Sequence, residues 1–220
     1  MSDVKPLSRI VKLAFFGLIV KPVVFIGLGL NVFHRHRLPR SGPAILAANH
    51  NSHLDTMVLM SLYPLTQIHR VRPVAAADYF LSNRWLAWFA LNVIGIIPIK
   101  RDSSAARDAL FDECHRALDN GDILIIYPEG SRGEPEQIGE LKRGLYHLLK
   151  GREDVILTPI ALHGLGRALP KNEALLVPFN CDVVIGEPLA KMPSAEAFVD
   201  NMKNALQDLL RLCITRRGGD

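Results

Sequence analysis

Beyond residue 40 the chain alternates short apolar runs with stretches in which apolar residues recur at helical spacing. The runs at 44–48, 73–77, 96–99, 123–127, 155–162 and 182–185 predict strands. Helices are predicted near 53–62, 83–91, 104–118, 144–149 and 194–213. Strands separated by helices define an α/β domain, a mostly parallel central sheet with helices on its faces. No internal repeat or long linker interrupts the pattern, so residues 41–220 are expected to form one domain. Open sheets of this kind place their sites in loops at the carboxyl ends of strands.

Residues 1–40 read differently. The segment 13–33, LAFFGLIVKPVVFIGLGLNVF, is apolar except for Lys21, Asn31 and the break at Pro22. Proline inside a helix removes a hydrogen bond and clashes with the preceding turn, so two helical pieces are expected rather than one span. Lys5, Arg9 and Lys12 fall at i, i+4 and i+7, one narrow basic stripe. A helix over residues 6–20 would be roughly 22 Å long, short of the ~30 Å hydrocarbon core of a bilayer. The expectation is a membrane-docking arm of two helices dipping into one leaflet, with the basic stripe and the run His34–Arg40 on anionic headgroups. A secretory signal shares the basic and apolar regions, but no small-residue cleavage site follows. A single tilted transmembrane helix is the other alternative.

Charge sharpens that division. The 220 residues carry a net +4, with 49% hydrophobic and 22% charged side chains, which excludes a disordered chain. Residues 1–40 hold seven basic side chains and one acidic, leaving −2 for the remainder. A basic apolar arm on a near-neutral body points to a phospholipid surface rather than to nucleic acid. Cys114, Cys181 and Cys213 are widely spaced with no CxxC pair, the pattern of thiols filling a core in a reducing compartment.

The chemistry concentrates in loops after strands. Following the run 44–48 comes Asn49-His50-Asn51-Ser52-His53-Leu54-Asp55. On a continuous helix His50 and Asp55 would stand about 140° apart. With His50 in the loop and Asp55 in the first helical turn, imidazole and carboxylate can meet as a general-base pair. Ser52-x-x-Asp55 also has the form of a capping box, which gives Asp55 a purely structural alternative. A metal site at His50, His53 and Asp55 lacks a distant ligand cluster, so none is expected. Arg101, Arg132 and Lys142, with Lys100 and Arg143 beside them, place cations at further strand ends. A phosphomonoester would use such charge-assisted donors. Gly130 lets the backbone turn tightly near a ligand. Glu129 is expected in ligand binding or site geometry rather than proton transfer. Trp85, Trp88 and Phe89 are candidates for lining an apolar groove near the site, or for ordinary core.

Asn-His-x-Ser-x-x-Asp resembles the first signature block of the 1-acylglycerol-3-phosphate acyltransferases, bacterial type. Gly95-Ile96-Ile97-Pro98-Ile99-Lys100-Arg101 resembles the second block, whose closing arginine is associated with the acceptor phosphate. Tyr127-Pro128-Glu129-Gly130-Ser131-Arg132 resembles the third, usually written with Phe first and Thr fifth. Leu141-Lys142-Arg143-Gly144 and Leu157-Thr158-Pro159-Ile160-Ala161-Leu162 resemble two later elements, so the likeness runs from about residue 43 to 162.

The resemblance implies transfer of a fatty acyl group from acyl-CoA or an acyl carrier protein to lysophosphatidate, giving phosphatidic acid at the cytoplasmic face of the cell membrane. His50 and Asp55 would be catalytic; Arg101, Glu129, Gly130, Arg132 and Lys142 would bind substrate; no cofactor is implied. Transfer to another lysolipid acceptor is the nearest alternative, and a non-catalytic lipid-binding module would be expected to lack His50 or Asp55. A serine hydrolase lacks its GxSxG elbow here.

Overall fold

A computed structural model describes residues 6–80, 83–99, 110–133, 137–168 and 180–216. Its core is a seven-stranded sheet in the order β1-β7-β6-β2-β5-β3-β4. The strands are β1 (Gly29–Phe33), β2 (Ala44–Ala48), β3 (Val71–Ala76), β4 (Ile97–Ile99), β5 (Ile123–Ile126), β6 (Ile156–His163) and β7 (Asn180–Ile185). Every neighbouring pair is parallel except β6 and β7. The mostly parallel α/β sheet is thus as the pattern predicts.

Alternation along β2 divides the core, because successive side chains of a strand point to opposite faces. Ala44, Leu46 and Ala48 enter one apolar cluster with Val58, Leu59 and Leu62 from the helix Leu54–Ser61 and its end. Ile45 and Ala47 enter the other, packed by the helices Asp112–Asp119, Gly144–Leu149 and Ala195–Arg211. All five β2 residues are buried, as a strand covered on both faces requires. Ser194 starts the last helix by accepting the Ala197 N–H at 3.2 Å. Cys114, Cys181 and Cys213 are all buried. Burial pushes the Cys114 thiol up to about 12.

The N-terminal region corrects two expectations. First, the helix does not break at Pro22. It runs from Ser8 to Gly27, 20 residues long. Pro22 keeps helical angles of −58° and −45° between two widened turns, in which the Lys21 N–H reaches Phe16 O and the Leu28 N–H reaches Val23 O. Each is a bond five residues back, so these π-turns displace the ladder around the proline instead of stopping it. Second, residues 29–33 form β1, a strand the helical reading of this segment passes over. It lies parallel to β7, with Gly29 opposite Asn180 and Phe33 opposite Val184.

The helix also packs against the domain. Phe16, Val20, Val24 and Leu28 are buried in the same cluster as Leu46 and Val58. Truncating a buried phenylalanine costs about 3–5 kcal/mol, so this face is part of the core. Lys12 does not face headgroups as the basic stripe predicts. It is 6% exposed, donating to the Ile94 carbonyl at 2.9 Å. Lys21 likewise donates to Tyr63 O, Arg35 to Leu62 O, and Arg37 pairs with Glu187 at 2.8 Å. The opposite face carries Ile10, Leu18, Ile19, Phe25 and Ile26, all exposed. Lys5 lies outside the described residues.

Candidate active site

The loop after β2 carries His50, and the first turn of the helix Leu54–Ser61 carries Asp55. Their side chains meet, His50 Nδ1 to Asp55 Oδ2 at 2.8 Å. The same oxygen accepts the backbone N–H groups of Asn51 at 2.7 Å and Ser52 at 2.8 Å. The carboxylate that caps the chain reversal is thus also the one that meets the imidazole. Asp55 is fully buried. Burial pushes its carboxyl up, and the His50 ring and the two amides oppose that by stabilising the charge.

Long-range contacts fix the loop. Asn49 makes a two-way bond with Leu162 of β6, accepting its N–H at 2.7 Å and donating to its carbonyl at 2.9 Å. Asn51 donates to the same carbonyl at 2.9 Å. From the other side, Glu129 accepts the His50 N–H at 3.0 Å and the Gly139 N–H at 3.2 Å. The Gly133 N–H closes back on His50 O at 3.3 Å. Glu129 is 5% exposed and burial pushes its carboxyl up against those amides. Of the two roles open to Glu129, these bonds supply the geometric one. Gly130 follows at φ +72°, a left-handed conformation that suits glycine, and lies against the cavity.

A cavity of ≈ 1070 Å³ opens beside His50. It is lined by His53, Arg132 and Lys142 and, over a larger area, by apolar groups that include Phe15, Leu86, Phe89, Ile94, Ile96 and Leu148. Phe15 and Phe89 meet edge to face at 5.2 Å, so the N-terminal helix supplies part of this wall. Arg132 is half-buried; Lys142 holds Glu140 at 2.9 Å at the rim. Arg143 turns elsewhere, pairing with Glu196 of the last helix at 3.0 Å. Lys100 and Arg101 lie outside the described residues, directly after the end of β4. Among the described residues, no three His, Cys, Asp or Glu side chains are gathered so as to hold a metal ion.

Of the three aromatic candidates for an acyl groove, Phe89 alone lines the cavity. Trp85 is 78% exposed and Trp88 49%, so neither is core. Asn49 and Tyr127 are site residues that sequence reasoning leaves without a role. An asparagine directly after an all-apolar strand signals a buried amide, but its partner stands 113 residues away.

A family model described as Acyltransferase matches residues 29–163. The chain is 26% identical over 162 residues to a chloroplastic 1-acyl-sn-glycerol-3-phosphate acyltransferase of Arabidopsis thaliana, covering 73% of this chain and 43% of that one. It is 25% identical over 201 residues to the alpha form of the same enzyme from Bos taurus, covering 88% and 68%. The chain thus spans about half the length of the plant relatives it matches. The crystal structure of a 1-acyl-sn-glycerophosphate acyltransferase from Thermotoga maritima shares the fold, with a TM-score of 0.70 at 16% identity over 92% of this chain and 79% of that one. The chain belongs to the acyltransferase family. The relatives named here, to which the chain is similar, are 1-acyl-sn-glycerol-3-phosphate acyltransferases.

Proposed function

We propose that the protein transfers a fatty acyl group from a thioester of coenzyme A or an acyl carrier protein to the free hydroxyl of 1-acylglycerol 3-phosphate, forming phosphatidic acid. The observation that carries this reading is a His50–Asp55 pair on a cavity that also presents Arg132 and Lys142. With Nδ1–H held by Asp55, His50 Nε2 takes the acceptor hydroxyl proton as that oxygen attacks the thioester carbonyl. The C–S bond breaks, the thiol leaves with the proton, and no acyl-enzyme forms. Arg132 and Lys142, joined by Arg101, hold the acceptor phosphate. The apolar wall from Phe15 to Leu148 receives acyl chain.

The acceptor and product are bilayer lipids, so the site works at a phospholipid surface. The exposed apolar face of the N-terminal helix supports docking there, and Trp85, Trp88 and Leu91 are further exposed apolar side chains on the stretch whose Phe89 meets Phe15. Because its other face is core, the helix lies along the domain rather than crossing alone. Three widely spaced cysteines with no CxxC pair fit the cytoplasmic side.

The test incubates full-length protein in mixed micelles with labelled lysophosphatidate, acyl-CoA or acyl carrier protein donors, and lyso-aminolipid and glycolipid acceptors in parallel. Phosphatidate should form only with a thioester present, and His50→Ala should lower turnover by about 10²–10⁴. Thioester-independent fatty acid release, or a His50→Ala enzyme of normal rate, would sink the proposal.

A further inference from the structure

The Tyr127 ring lies nearly parallel to the His50 imidazole, at 13° with centroids 3.9 Å apart. Its hydroxyl is 2.9 Å from Thr56 Oγ1, either oxygen able to donate. Thr56 is the residue after Asp55 on the helix Leu54–Ser61. Nothing in the proton transfer derived above uses these contacts.

We propose that Tyr127 is a positioning residue for His50, its ring setting the imidazole plane while the Thr56 tether keeps that ring from sliding. This rests on the reading of His50 as the base. A single hydrogen bond from Nδ1 to Asp55 fixes one point of the imidazole, and the terminal torsion of histidine is broad and two-fold. A stacked face removes the remaining freedom, so Nε2 keeps one direction. Asp55 and Thr56 are neighbours on one helix, so both constraints on His50 share a frame. The stack also matters as the proton arrives, because a π face attracts a ring that is becoming cationic. Burial holds the phenol protonated by pushing its ionisation well above the ordinary range, which preserves the tether.

The closing experiment compares wild type with Tyr127→Leu, Tyr127→Met, Tyr127→Phe and Thr56→Val in the full-length protein in micelles. The two non-aromatic variants should lower kcat about three- to tenfold with KM for lysophosphatidate nearly unchanged. Tyr127→Phe and Thr56→Val keep the stack but lose the tether, so each should lower kcat by about twofold, less than either non-aromatic variant. Nitrogen-15 imidazole spectra should show one Nδ1–H tautomer for His50 in wild type and Tyr127→Phe, and a tautomer mixture in whichever non-aromatic variant folds. Wild-type kcat and a single tautomer in that variant would overturn the proposal, as would equal impairment of Tyr127→Phe and Tyr127→Leu. The spectra need no turnover, so they decide the positioning role even if wild type transfers no acyl group, a result that would sink the functional reading alone.

Discussion

Glu129 holds the backbone N–H of His50 at 3.0 Å, from a loop that lies 79 residues further along the chain. A carboxylate in the third sequence block therefore sets the position of the histidine in the first. Its two oxygens serve two amides, His50 and Gly139, and a glutamine can accept with only one. Glu129→Gln should lower stability by about 1–3 kcal/mol, the cost of an orphaned buried donor. Kinetics should show a lower kcat from the displaced loop, and denaturant unfolding should show the stability loss.

Asp55 Oδ2 accepts three N–H donors. An asparagine that keeps its oxygen toward the two amides offers no negative charge to an imidazolium, and one that turns its amide inward favours the wrong tautomer. Asp55→Asn should therefore reduce kcat by about 10²–10⁴. Its binding to anionic vesicles should match wild type, because the exposed apolar side chains of the N-terminal helix are untouched.

Lys12 gives a pH dependence with a definite sign. Burial first, then the charge of Arg72, lower its amine from 10.5 to about 7, with Asp122 opposing. Between those values the unfolded chain holds a proton that the folded chain has released. Stability accordingly rises with pH through this window. Urea unfolding in detergent at pH 7, 8 and 9 should show that gain, and Lys12→Met should flatten it.

Trp85 and Trp88 belong to neither the cavity wall nor the core. The double change Trp85→Ser with Trp88→Ser should weaken co-sedimentation with phospholipid vesicles several-fold. Turnover of short-chain, water-dispersed acceptor should hold within about twofold, since surface changes rarely disturb folding.

Strands β2 to β7 were legible because apolar runs bounded by turns have few other uses, and β2 and the helix Gly144–Leu149 fall on the expected residues. β1 was not, since Gly-Leu-Asn-Val-Phe continues an apolar helical stretch without punctuation. Its identity as a strand comes from a partner at the far end of the sequence. Pro22 misled because the rule against proline assumes an α ladder, and two π-turns change the ladder. The His50–Asp55 pair could be anticipated from a loop-then-helix geometry. The Tyr127 stack and the Asn49 clamp could not, because both depend on which strands lie beside β2. Charge counting gave Lys12 to the lipid surface; only packing reveals that its amine is used internally.

The pairing of β1 with β7 has a consequence for biosynthesis. Gly29 leaves the ribosome early, and its hydrogen-bonding partner strand begins at Asn180. The apolar helix just before β1 is thus made while the edge it must flank does not yet exist. Non-local pairings of this kind close slowly, so the helix stays uncovered on that side until the end of the chain has been made. Clipping off the first forty residues to obtain a smaller soluble fragment would therefore remove a strand of the sheet together with the apolar helix.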